Sequence, residues 1–305
     1  MSKKSPSHLS VMERPGILAF ILLLPATMII FGLLVFPMCS SLMISLTKMD
    51  LLNPASSKDF VGLGNYIEAL KNPMFWVAFG KTWYFALLTV SIETALGICI
   101  ALILNQDFKG RGFVRGLIIL PWALPYVVNG IMWKWIFDAN YGAFNALLNQ
   151  IGLLKSYQIW LGDPLAAFHI VILANIWKET PVAILLILAA LQSVPKELYE
   201  AAKVDGATGF QCLRKIVIPM LKPVIMVVLV LKTIWALKEF DLIYIMTKGG
   251  PADATNVLTY YIYQNTFKFL KFGYGSALAY ILTFAATILV MLYVKNLLSE
   301  QELDS

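Results

Sequence analysis

Six apolar runs, each long enough to cross a hydrocarbon layer, dominate this sequence: 17–46, 82–104, 116–137, 167–191, 220–246 and 276–294. A helix needs about 20 residues to cross a bilayer core, and inside it every backbone donor and acceptor must find its partner within the protein. Little chain is left over for anything else. Of the 305 residues, 59% are hydrophobic and 14% charged, a balance that belongs to membrane proteins. The expected fold is therefore an all-α integral membrane domain of six transmembrane helices over 16–295, flanked by short tails at 1–15 and 296–305.

The first run follows Lys3, Lys4 and Arg14, as the core of a secretory signal would, but it is far longer than the roughly 7–15 residues of such a core. It reads as an uncleaved helix. Cys39, Cys99 and Cys212 are odd in number and lie in or near the runs, so they predict neither a disulfide framework nor a metal site. Orientation follows from the basic residues of short loops. Lys109, Arg111 and Arg115 crowd one brief turn, and Lys196, Lys203, Arg214 and Lys215 crowd another on the same side of a six-helix chain. That side is expected to be cytoplasmic, with both termini on it. The segment between Thr47 and Lys81 on the other side balances its few cations with Asp50, Asp59 and Glu68. Topology thus accounts for the net charge of +6 without a nucleic-acid partner, since no basic and aromatic patch lies outside the membrane.

The most distinctive polar interruption is the loop 192–219 between the fourth and fifth runs. Ser193 is placed to cap a helix whose first turn holds Pro195 and Glu197 and which reaches Val204. Gly206 can then adopt the left-handed conformation that stops a helix, and Thr208 can cap the next one, leading to Pro219. Helix, sharp turn and helix are expected. A surface hairpin without special role would fit this pattern too.

Glu200-Ala201-Ala202, Asp205-Gly206, Ile216 and Pro219 together resemble the EAA signature of the membrane subunits of binding-protein-dependent ABC importers. Ile218 stands where the family pattern has Leu. Phe60-Val61-Gly62-Leu63-Gly64-Asn65-Tyr66, Lys109-Gly110-Arg111-Gly112, Leu120-Pro121-Trp122 with Pro125, Trp177-Lys178 and Thr247-Lys248-Gly249-Gly250-Pro251 look like the carbohydrate branch of that family. The resemblance covers nearly the whole chain, and the Gly249-Gly250-Pro251 loop is similar to that of the larger maltose-system and first glycerol-phosphate permeases. It implies a coupling helix that docks on an ATPase, with Glu200 making the polar contact, Ala201 and Ala202 the close-packed face, and Gly206 the turn. It also implies a bacterial or archaeal cytoplasmic membrane and a set of partners: a second permease of the same fold, two ATP-binding cassette subunits, an extracytoplasmic solute-binding protein and a carbohydrate.

No energy source is visible in the chain itself. Gly80-Lys81-Thr82 imitates the end of a phosphate-binding loop, but position 75, where that loop needs glycine, is Phe. His8 sits in the tail and His169 stands alone near a run, so no catalytic constellation is predicted. The chain is expected not to be an enzyme and to bind no cofactor, with ATP and Mg on partner subunits.

Polar groups inside membrane spans are costly and tend to face the bundle interior. Tyr126, Asn129 and Trp133 share one helical face in the third run, Asn175, Lys178 and Glu179 another in the fourth, just before Pro181. Lys232, Trp235 and Glu239, with Lys238 and Asp241 beside them, occupy the fifth run, which is long enough to require a tilt or a break near these charges. Tyr280, Thr283 and Thr287 follow in the sixth. Aromatic, amide, hydroxyl and charged groups in combination suit a sugar, which offers many hydroxyls and flat C–H faces. Simple packing accounts for the same residues if Lys178 neutralises Glu179 or Lys232 neutralises Glu239. Glu93, beside Thr89 and Gly97, reads as part of a close helix contact. A rival class is an ion-coupled secondary transporter using Glu179, Glu239 and Asp241, although no inverted repeat is visible.

Overall fold

The computed structural model describes residues 15–53, 55 and 59–303, so the basic N-terminal tail with Lys3, Lys4, His8 and Arg14 lies outside the described residues. Fourteen α-helices follow in order: α1 Pro15–Ile30, α2 Phe36–Ser45, α3 Gly64–Lys71, α4 Pro73–Leu104, α5 Arg111–Ala123, α6 Tyr126–Ile136, α7 Ala143–Gln150, α8 Pro164–Gln192, α9 Lys196–Val204, α10 Gly209–Cys212, α11 Ile218–Leu237, α12 Asp241–Met246, α13 Leu258–Tyr263 and α14 Phe272–Leu303. No strand occurs among the described residues beyond two isolated bridges, Thr47 with Phe60 and Asp50 with Lys271. Five helical stretches are long and apolar enough to cross a membrane, or six if the bent pair α5 and α6 is one crossing. The last helix does not stop at the expected boundary of 295 but runs to Leu303.

The chain divides into two compact units. The first holds residues up to Glu68 together with Asn265–Tyr280. Its long apolar helix, α1 and α2 joined through a π-helical turn at Phe31–Val35, leads into a tightly bonded loop. Asn65 donates to the carbonyls of Ser45 and Thr47 at 2.8 and 2.9 Å, and the hydroxyls of Ser45 and Tyr66 lie 2.6 Å apart.

The second unit, Ala69–Gln264 with the chain from Ile281 onward, is organised around α8. Its apolar residues occur on all sides, which suits a helix buried in a bundle, and it is the most buried of the long helices. Asn72 caps α4 and Asp163 caps α8, each carboxamide or carboxylate accepting a backbone N–H at 2.9 or 2.7 Å. Helices α4 and α8 meet where Gly97 faces Ala183, and a Cβ at Gly97 would lie 2.9 Å from that of Ala183. Phe85, Val171, Leu237 and Tyr260 fill one core, while Ala101, Ile184, Ile187 and Leu221 fill a second.

The third apolar run is not one straight span. Its helix breaks between α5 and α6 with a 95° bend. Pro125 excludes the preceding residue from helical geometry, and Leu124 is accordingly extended at φ −73°, ψ 135°. The fifth run breaks too, with α11 ending at Leu237 and α12 starting at Asp241, in the charged stretch where a break was expected.

The close approach at Gly97 gives a direct check. Thermal unfolding in detergent is expected to show Gly97→Val losing roughly 1–3 kcal/mol through overpacking. Gly116→Ala, with open space at its Cβ position, loses none.

Candidate functional site

The two breaks open onto one cavity of about 370 Å³, lined by Trp122 from α5, Tyr126 from α6, Lys178 and Glu179 from α8, Trp235 from α11, Asp241 from α12, and the non-helical Lys238, Glu239 and Phe240. Bent and ended helices are what allow backbone and charged groups to stand at this depth. Behind the cavity wall lies a buried network. The Lys232 ammonium sits 3.0 Å from Glu179 and 3.4 Å from Glu93, and it also donates to the Glu179 carbonyl. Tyr126 donates its hydroxyl to the other Glu179 oxygen at 2.7 Å. Glu239 accepts from Asn175 at 3.1 Å and from the backbone N–H of Leu242 at 2.9 Å.

Lys178 has a different task. Its ammonium donates to the carbonyls of Trp122 and Leu124 at 3.1 and 2.8 Å, and it lies 4.4 Å from the centre of the Tyr126 ring. These carbonyls stand at the C-terminal end of α5, where a cation offsets the helix dipole. The pairs Lys178–Glu179 and Lys232–Glu239 suggested by sequence order are not formed. Adjacent helical residues point in different directions, and the helix carrying Lys232 ends before Glu239.

The remaining expected path residues divide. Asn129 is buried and donates to the Ala174 carbonyl at 3.3 Å, and Trp133 packs edge-on against Trp177, so both face α8 behind the cavity. Lys238 and Asp241 line the cavity and are exposed to it. Tyr280 and Thr283 do not line it: the Tyr280 hydroxyl bonds to the Met38 carbonyl at 2.5 Å, and Thr283 is exposed. Helical spacing places them on one face of α14 but does not say what that face meets. Glu93, read from the sequence as part of a close helix contact, is buried behind the cavity wall; what was missed is its pairing with Lys232, although a lone acid inside a long apolar span needs a cation.

The loop after α8 forms the expected helix, turn and helix, with one change at its start. Ser193 closes α8, donating its hydroxyl to the Ala190 carbonyl at 2.8 Å, and Pro195 takes the cap position of α9. Gly206 has φ +75°, and the N–H groups of Gly206 and Ala207 return to the carbonyls of Lys203 and Ala202, a Schellman stop. Thr208 and Gln211 form a reciprocal capping box. Glu200, Ala201, Asp205 and Gly206 are exposed, as are Val204 and Phe210, whereas Ala202 turns inward. Ala201 and Ala202 therefore do not share one outward face. With Tyr199, Ala202 lines a groove of about 450 Å³ that also includes Leu102 and Asn105, which puts the end of α4, α9 and the start of α10 at the same end of the unit. Burial pushes the Tyr199 hydroxyl above its ordinary pKa.

A bundle of membrane-length helices, broken around a polar and aromatic cavity and carrying an exposed helix–turn–helix at one end, is the membrane domain of a transport protein. Residues 93–301 match the family described as "Binding-protein-dependent transport system inner membrane component", and the chain belongs to that family. It is a multi-pass protein of the cytoplasmic membrane. The chain is 39% identical over 283 residues to the trehalose/maltose transport system permease protein MalF of Thermococcus litoralis, covering 92% of this chain and 94% of that one. It is 37% identical to the sulfoquinovosyl glycerol transport system permease protein SmoG of Agrobacterium fabrum, covering 92% and 90%. Among solved structures, a chain of a bacterial ABC transporter involved in the import of the acidic polysaccharide alginate matches with a TM-score of 0.82 and 25% identity, over 94% of this chain and 96% of that one.

The buried network predicts an asymmetry between its members. Lys232→Met leaves Glu93 and Glu179 without their shared cation and is expected to cost about 3–5 kcal/mol. Glu93→Gln keeps the shorter Lys232–Glu179 pair and costs less. Melting temperatures of the purified variants rank the two, and equal losses would deny Lys232 its central place.

Proposed function

We propose that this chain forms half of the translocation pore of an ATP-driven carbohydrate importer. In this reading α5 and α6 make one crossing, six in all, with both termini cytoplasmic. The fold partner is a second permease, two ATP-binding cassette subunits carry ATP and Mg, and an extracytoplasmic binding protein delivers the solute. The observation that carries the reading is the exposed α9 hairpin standing at the end of the helices that line the cavity. Its outward acid, Glu200, and outward apolar residues, Val204 and Phe210, suit a docking surface for a basic and apolar groove. Asp205 and Gly206 shape the turn behind it.

The cavity suits a sugar. Trp122, Trp235 and Phe240 offer flat apolar faces, while Lys238 and Asp241 offer a donor and an acceptor for hydroxyl groups. Lys178, Glu179 and Glu239 have their polar atoms engaged by the protein and hold the wall in shape. That engagement also argues against Glu179 and Glu239 as ion-coupling acids of a secondary transporter. Relatives named for trehalose, maltose and sulfoquinovosyl glycerol transport support the carbohydrate class.

Transport assays in vesicles reconstituted with all subunits test this directly. Uptake should require ATP and the binding protein, and uptake driven by an ion gradient alone would establish the secondary transporter instead. Glu200→Lys is expected to leave membrane insertion intact while reducing ATPase association and uptake at least about tenfold, the effect of a like charge at a contact. Trp235→Ala should change the rate or preference among sugars while the complex still assembles, and an unchanged transport profile would assign Trp235 to packing.

A further inference from the structure

The turn between α4 and α5 gathers cations at one end of two long helices. Lys109 is exposed, Arg111 pairs with Asp107 at 3.1 Å, and Arg115 donates to the Leu104 carbonyl at 3.2 Å. Three cations against one acid leave the turn two positive charges in surplus. A guanidinium has five N–H donors, and each of these two meets one acceptor among the described residues, while the Nε–H groups of both are buried without any. Gly110, at φ +87°, reverses the chain and, as the cap of α5, offers no side chain to the first N–H groups of that helix, whose dipole favours an anion there.

The helix that follows is apolar on its outer side. Phe113, Leu117 and Leu120 recur at i, i+4 and i+7 and are exposed, Phe113 to 73%. Gly112 and Gly116 lie beside them with nothing within 4 Å of a Cβ, so the ridge borders an open ledge. Val114 and Ile118 take another side and pack against the core of Ala101, Ile184 and Ile187. Trp122, two residues beyond Leu120 and so on the far side of the helix, lines the cavity, which turns the ridge away from the solute. The 13 residues of α5 rise about 20 Å, against roughly 15 Å for one leaflet of a hydrocarbon core. Its basic end therefore stands at the headgroups when its ridge lies among the acyl chains.

We propose that this turn and ridge bind one anionic phospholipid, its phosphate held by Lys109, Arg111 and Arg115 and an acyl chain lying along Phe113, Leu117 and Leu120. Charge and shape together select this occupant. Guanidinium groups match phosphate oxygens in pairs, and a hydrocarbon chain covers an apolar ridge continuous with the charge. A lipid fixed there anchors the start of α5, whose other end supplies the Trp122 and Leu124 carbonyls that Lys178 holds at the cavity. From the importer reading above the site takes only that α4 and α5 stand in the membrane.

The test uses the complete complex, purified in a neutral detergent, with a photo-crosslinking residue at Phe113 and phosphatidylglycerol or phosphatidylcholine as the probe. Phosphatidylglycerol should form the adduct at lower concentration than phosphatidylcholine. Lys109→Gln and Arg111→Gln should each raise its half-maximal concentration about fivefold, and Lys155→Gln, an exposed cation of another loop, should not move it. Inorganic phosphate should not displace the lipid, because it lacks the chain that the ridge holds. Equal labelling by the two lipids, displacement by inorganic phosphate, or an adduct with the second permease would each overturn the lipid site. Labelling is read without transport. A complex that takes up solute with ATP yet labels both lipids equally removes the site alone, whereas selective labelling in a complex without ATP-dependent uptake removes the importer reading alone.

Discussion

One buried cation holds the described core of this protein in register. Lys232 on α11 is surrounded by Glu179 on α8 and Glu93 on α4, all three almost fully buried. Taking such groups out of water costs several kcal/mol per ion, so the network contributes little net stability unless every member is satisfied. Its larger effect is on geometry. A single ammonium reaches both acids only while α4, α8 and α11 stay close together, and Tyr126 extends the same constraint to α6.

The cavity exists because two helices stop beside this network. The backbone groups freed at each stop require partners where water is scarce. At the first, the carbonyls of Trp122 and Leu124 take the Lys178 ammonium. At the second, the N–H of Leu242 is taken by the Glu239 carboxylate and the Glu239 carbonyl by the Thr259 hydroxyl. Polar residues that stand out in an apolar sequence are therefore spent on mending broken backbone or on one another. The groups left for a solute are fewer than their number in the sequence suggests, namely the aromatic faces with Lys238 and Asp241.

Periodicity and punctuation made the long helices, the α9 turn at Gly206 and the break near Lys238 legible. These depend on local rules. Hydrophobic length marks a span, a left-handed glycine marks a stop, and charge within a span marks an irregularity. The sharp bend at Leu124 was legible in principle, since Pro125 alone forbids helical geometry at the preceding residue, but a continuous apolar run masked it. Pairings could not be read from order along the chain. Lys178 lies beside Glu179 in sequence and serves Trp122 and Leu124 instead, while Glu93 finds its partner 139 positions away, at Lys232. The same holds for the face of α14 carrying Tyr280 and Thr283, because spacing defines a face and only packing decides its neighbour.

The α9 hairpin and the ion pair are related by connectivity. The hairpin joins α8 to the helical stretch that becomes α11, and these two helices carry Glu179 and Lys232. If α9 is the docking helix proposed above, a push on it arrives at both halves of the pair along separate arms. Each arm contains a weak place between hairpin and pair: Pro181 in α8, which removes a backbone hydrogen bond two residues beyond Glu179, and the π-helical turn Leu213–Val217 with Pro219 and Pro223 on the way to Lys232. Unequal bending of the arms would translate into sliding between Glu179 and Lys232, the movement that a bond of fixed geometry resists most and that Glu93 is positioned to accommodate by taking a larger share of the same ammonium. In an importer driven from that end, as proposed above, the second carboxylate, Glu93, keeps the Lys232 ammonium beside an acid as Glu179 slides, and the cavity wall built on Glu179 shifts with it.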